Sequence, residues 1–133
     1  MLLGFEHVGM TVSNMERAID FYCGLLGLRM KFRRTTAGGE AAFLDAGGGM
    51  LEIEAPAREV GPFRDVPLSE AGFRHITLAY DNIDTMVERL EEAGVPIVEG
   101  PRVAFNSEMF KRVVFVRDPD GILVELVERA AGR

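Results

Sequence analysis

The chain is short of cysteine, tryptophan and histidine: it has one Cys, no Trp and two His in 133 residues. A single cysteine, Cys23, makes no internal disulfide, which agrees with a reducing compartment. No apolar run approaches the roughly 20 residues of a membrane span, so no membrane partner is expected. The opening stretch, MLLGFEHVGM, lacks a basic segment and carries acidic Glu6 early, so no signal peptide is expected and the expected location is cytoplasmic. Basic charge is also scarce: 15 Lys and Arg stand against 21 Asp and Glu, a net charge of −6. That balance excludes the basic face nucleic-acid phosphates require. Low-complexity tracts are missing too, and 47% hydrophobic with 27% charged residues describes a globular chain, one domain or two small modules sharing a core.

What is present is a repeat. FEHVGMTVSN from Phe5 and FRHITLAYDN from Phe73 each run Phe, a charged residue, His, an apolar stretch, and an Asn seven residues after the His. The two histidines of the chain, His7 and His75, occupy matching places. Each opening strand is followed by an amphipathic helix. In the first, Ser13 and Glu16 read as a capping box, and Met15, Ala18, Ile19, Tyr22, Leu25 and Leu26 recur at helical spacing up to Gly27. In the second, Asp81 or Asn82 caps a helix carrying Ile83, Met86, Val87 and Leu90 that stops at Gly94. The echo continues in FLDAGGGMLEIE and FVRDPDGILVELVE, each with an Asp, a glycine turn and a Glu seven residues after the Asp. Both read as β-hairpins, preceded by a strand around 30–34 and around 97–103. The chain therefore divides into a first βαβββ module over 1–55, a linker or flap over 56–72, and a second βαβββ module over 73–133.

Strand alternation puts His7 with Phe5, Gly9 and Thr11, and His75 with Phe73, Thr77 and Ala79, while the other faces are apolar enough to pack under the helices. Leu51 and Ile53 flank Glu52, and Val124 and Leu126 flank Glu125, so each Glu interrupts an apolar strand. A carboxylate there needs a cation, a partner or water. If the inner faces of the modules meet, His7, Glu52, His75 and Glu125 converge as two imidazoles and two carboxylates, a set suited to a borderline divalent ion.

These segments, HVGMTVSNMERAIDFYCGLLGL, RHITLAYDNID and DPDGILVELVE, make the chain resemble the vicinal oxygen chelate superfamily: the glyoxalase, bleomycin-resistance and extradiol-dioxygenase group. The resemblance implies an α+β fold: two βαβββ modules forming a cupped, partly open mixed β-sheet barrel with helices outside. It also implies one divalent ion, Zn, Ni, Co, Mn or Fe, held by a His on each first strand and a Glu on each last strand. Those positions are His7, Glu52, His75 and Glu125. A homodimer is implied as well. In glyoxalase I-like members an Arg four residues after the first His and an Asn four after the first Glu serve glutathione. Here these are Thr11 and Pro56, so the resemblance does not extend to those contacts.

The implied chemistry is that of a lyase, isomerase or epimerase. Two neighbouring substrate oxygens chelate the metal, an enediolate or enolate is stabilised, and a glutamate moves the proton, Glu125 ahead of Glu52. One alternative is an Fe(II)-dependent ring-cleaving dioxygenase, which generally uses two His and one carboxylate. Another is a metal-free protein that sequesters an antibiotic. Thr11, Phe63, Phe105, Met109 and Arg112 are further candidates for contact with a small-molecule substrate. Cys23 has no base at a fixed spacing and reads as structural, and Gly47–Gly49 opens no helix, so it reads as a turn and not a phosphate loop.

Overall fold

The computed structural model describes the whole chain, Met1–Arg133, which divides into two units, Met1–Pro62 and Phe63–Arg133. In the first unit the order is β1 (His7–Thr11), α1 (Met15–Ile19), a π-helical turn (Asp20–Leu25), β2 (Arg29–Thr36), β3 (Gly39–Asp45) and β4 (Met50–Pro56). The second holds β5 (Ile76–Ala79), α2 (Ile83–Glu92), β6 (Ile97–Val103), β7 (Phe110–Arg117) and β8 (Leu123–Arg129). Each unit is a four-stranded mixed sheet, ordered β1-β4-β3-β2 and β5-β8-β7-β6. In both, the first strand lies parallel to the last and the other pairings are antiparallel. Both sheets are open, so the fold is α+β, built of two βαβββ modules. No helix is long and apolar enough to cross a membrane.

The parallel pairing follows from the connection. A strand that leaves through a helix returns over one sheet face, and the hairpins β2–β3–β4 and β6–β7–β8 then bring the last strand beside the first. One face of each sheet is covered by its helix. Val12, Met15, Ala18, Phe21, Tyr22 and Leu26 are buried in the first unit, as are Leu44, Leu51 and Ile53. In the second unit α2 packs against β6, β7 and β8, burying Ile83, Val87 and Leu90 along with Val114, Val116, Val124 and Leu126. Each fully buried aliphatic side chain contributes roughly 1.5–3 kcal/mol through removal from water.

Two local expectations change. The first helix is capped by Asn14 rather than Ser13. Asn14 is extended (φ −147°) and its side chain accepts the Arg17 amide at 3.0 Å, while the Ser13 hydroxyl accepts from the Arg17 guanidinium at 2.9 Å. The capping oxygen must reach the amide three residues on, and the residue with the cap backbone wins. The helix also does not continue regularly to Gly27. From Asp20 it widens into the π turn, with the Leu26 amide donating to the Phe21 carbonyl at 2.9 Å. The wider turn buries Phe21 and leaves Leu25 half-buried. Gly27 (φ +84°) then provides the left-handed stop. In the second unit Asn82, not Asp81, is the cap, and its side chain accepts the Thr85 amide at 3.0 Å.

Between β4 and β5 the chain is irregular. Asp65, on the second unit's side of it, accepts two hydrogen bonds from Arg117, at 3.0 and 3.1 Å.

Candidate metal-binding pairs

Glu52 is placed by the β1–β4 register. It lies opposite Gly9 on the parallel side and opposite Phe43 on the antiparallel side. Glu125 has the same frame, with Thr77 on β5 and Phe115 on β7 as its partners. The equivalence extends to the imidazoles. The His7 ring meets the Phe43 ring edge-on, with centroids 5.5 Å apart, and His75 meets Phe115 edge-on at 5.4 Å. Each module thus presents one imidazole and one carboxylate on the same sheet face, with a phenylalanine ring beside the imidazole and opposite the carboxylate. His75 stands one residue before β5 and His7 begins β1.

In the second unit His75 Nε2 lies 3.4 Å from Glu125 Oε1, with the two side chains 24% and 15% exposed, so both are within reach of a ligand. Thr77 Oγ1 donates to Glu125 Oε1 at 2.8 Å. In the first unit His7 Nδ1 is 2.7 Å from Glu6 Oε1. With the ring N–H donating to that carboxylate, Nε2 carries the lone pair that would bind a metal. A Cβ added at Gly9 would stand 3.3 Å from Glu52 Oε1, so the Glu52 carboxylate lies over the glycine.

The donor chemistry fits a divalent ion, since neutral imidazole and carboxylate are ligands for zinc and its neighbours. Neither unit gathers three or more His, Cys, Asp or Glu side chains that could hold a metal by themselves. Each holds one imidazole and one carboxylate.

Other candidates are distributed more widely. Thr11 shares the His7 face and lies opposite Glu54 on β4. Arg112 does not share the Glu125 face. It pairs in register with Glu128 on the helix side and donates to Asp84 of α2 at 2.6 Å. Phe105 is 89% exposed, under the guanidinium of Arg102, whose carbon is 4.0 Å from the ring centre. Phe105 and Met109 both sit in the turn between β6 and β7, near the Phe110–Arg129 end of the sheet. Arg129 is four residues along β8 from Glu125, about 13 Å at strand rise. Phe63 lies in the irregular segment ahead of β5. Burial raises the Cys23 thiol above its ordinary value, which lowers its thiolate fraction. Asp45 and Asp118 serve turns. The Gly47 amide and Arg29 hold the Asp45 carboxyl below its usual range, and Asp118 accepts the amides of Asp120 and Ile122 at 2.8 and 2.9 Å.

Glu6, Phe43, Thr77 and Phe115 are the contributors sequence reasoning passed over. Their signals were present: Glu6 precedes a histidine, Thr77 shares a strand face with His75, and the two phenylalanines begin the matching hairpins.

Similarity to known proteins covers almost the whole chain. A lactoylglutathione lyase of Escherichia coli is 33% identical over 135 residues, spanning 96% of this chain and 94% of that protein. The metallothiol transferase FosB of Shouchella clausii is 28% identical over 130 residues, 95% of this chain and 80% of that protein. The crystal structure of a glyoxalase family protein from Bacillus cereus superposes with a TM-score of 0.78 at 23% identity, covering 98% of this chain and 97% of that one. Residues 4–126 match the model of the Glyoxalase/Bleomycin resistance protein/Dioxygenase superfamily, and the chain belongs to that family.

Proposed function

We propose that the protein is a divalent-metal-dependent enzyme of the glyoxalase type, a lyase, isomerase or epimerase working in the cytoplasm as a homodimer. His7, Glu52, His75 and Glu125 would hold one ion of Zn, Ni, Co, Mn or Fe, one pair from a first module and one from a second, of one chain or of two. The observation that carries this reading is the duplicated pair. The same imidazole, the same carboxylate and the same aromatic ring recur at equivalent register positions in both modules.

A bound ion supplies Lewis-acid stabilisation of the negative oxygens of an enediolate or enolate. The chain's own residues do the rest. A glutamate accepts the proton from the carbon beside the carbonyl, the C–H electron pair stays with the substrate, and the same carboxyl returns the proton to the neighbouring carbon. Glu6 accepts from His7 Nδ1, so that the lone pair stays on the second ring nitrogen. Thr11 and Pro56 lack the cation and the amide that would hold glutathione, so the substrates to try are α-hydroxycarbonyl compounds, which carry two adjacent oxygens, and acyl thioesters.

The test is bound metal by elemental analysis of tag-free protein, in wild type and in the His7→Ala and His75→Ala variants. Near-stoichiometric metal in wild type, lost in either variant, is the expected result. Iron bound together with oxygen consumption would move the assignment to a ring-cleaving dioxygenase. No metal under any loading condition would overturn it and leave an antibiotic-sequestering protein.

A further inference from the structure

We infer that the two modules divide the carboxylate work: Thr77 fixes Glu125 as a standing metal ligand, and Glu52, which has glycine in the corresponding place, is the carboxylate free to leave the metal and take the substrate proton. This rests on the metal reading above and departs from the family-based preference for Glu125 as the mobile group.

The register makes the comparison direct. Thr77 is opposite Glu125 as Gly9 is opposite Glu52. From that position Thr77 Oγ1 donates to Glu125 Oε1 at 2.8 Å. A hydroxyl-to-carboxylate bond is charge-assisted and among the stronger kinds. It holds one oxygen of the carboxylate, Oε1, and does not engage Oε2. For Glu125 to swing off a metal, that bond must break or turn with it. Gly9 offers Glu52 no side chain and no hydroxyl, and the carboxylate occupies the room the missing Cβ leaves. Rotation of Glu52 therefore breaks no bond to its cross-strand neighbour. The imidazoles show the converse arrangement. His7 is held by Glu6 at 2.7 Å, whereas the residue before His75 is Arg74, a cation, and the carboxylate near His75 is Glu125 itself, 3.4 Å from Nε2. The first module anchors its imidazole and frees its carboxylate, while the second anchors its carboxylate. Thr77 is a positioning residue, acting through Glu125.

The experiment uses Zn²⁺ and Co²⁺ alone as probes on full-length protein, reading affinity by competition with a chelator and coordination by the visible spectrum of the Co²⁺ form. Thr77→Val keeps the β-branched shape on an exposed strand position and removes the donor. It is expected to weaken metal binding by about 10- to 100-fold, the usual range for losing a group that orients a ligand. Thr77→Ala should give the same loss, Thr77→Ser should restore wild-type affinity and the wild-type Co²⁺ spectrum, and metal-free melting should stay unchanged in all three. Glu125→Gln should cost more affinity than Glu52→Gln. Wild-type affinity and spectrum in Thr77→Val, or equal losses in the two glutamine variants, would overturn the inference while leaving the metal reading intact. A wild-type protein that binds no metal would overturn both.

Discussion

The Glu128 carboxylate, near the end of β8, accepts the backbone N–H of Ile83, the first residue of α2, at 2.7 Å. Glu128 is 8% exposed, and its other oxygen lies 3.5 Å from Lys111 Nζ. With Asn82 taking the Thr85 amide, two of the helix's four unpartnered N–H groups are satisfied by side chains, one local and one brought from 45 residues away. The contact locks the helix onto the strand that carries Glu125, three residues earlier.

Replacing Glu128 by Ala should therefore destabilise the second unit. A buried amide would lose a charged acceptor, at a cost of roughly 1.5–3 kcal/mol. Urea unfolding should show a lower midpoint with an unchanged slope, and Glu128→Gln should recover part of the loss because its amide oxygen still accepts.

The β2–β3 turn offers a contrast between adjacent glycines. Gly39 has φ +130°, and a Cβ there would meet the Ala55 carbonyl oxygen and stand 2.8 Å from the Pro56 Cα, both backbone atoms. Gly39→Ala is expected to cost more than about 1 kcal/mol. At Gly38 the nearest atom to a new Cβ is Thr36 Oγ1 at 3.7 Å, so Gly38→Ala should be within about 0.5 kcal/mol of wild type. Thermal melts of the two variants side by side make the comparison.

Burial pushes the Tyr80 phenol up to about 12, with the nearby Arg89 charge working in the opposite direction. The folded state favours the neutral phenol, so its contribution to stability is full below the ordinary tyrosine value near 10 and is lost as pH rises through about 12. Alkaline titration followed by tyrosinate absorbance should show a late transition that disappears in Tyr80→Phe. A transition at the ordinary value for this residue would contradict the burial.

Glu6→Ala should weaken metal binding by about 10- to 100-fold if His7 is a ligand, because the ring loses the acceptor that fixes its orientation. Competition with a chelator measures it, and Glu6→Gln, which keeps an acceptor oxygen, should lose less. An unchanged affinity in Glu6→Ala would mean that the exposed Glu6–His7 contact does not orient a ligand.

The sequence by itself determined the repeat, the βαβββ order, the helix-facing apolar stripes and the two His–Glu pairs. Each of these is a local pattern, carried by period-two alternation in strands, helical spacing of apolar residues, and the identical Phe-x-His starts. The second helix was legible down to a choice between two caps because its signals are all adjacent in the chain. The first was harder, since Ser13 and Asn14 compete for one role and the π turn shifts which side chains point inward. Tertiary structure alone decided what lies across from each carboxylate. Thr77 and Glu125 are 48 residues apart, and only the β5–β8 register makes one a donor to the other, while the β1–β4 register sets Gly9 opposite Glu52. The β7–β8 register put Arg112 opposite Glu128 on the helix side, where Arg112 reaches Asp84 and Glu128 caps α2. A strand's own residues encode which side each one takes, but the residue it meets on the next strand is set by hydrogen-bond pairing between distant segments.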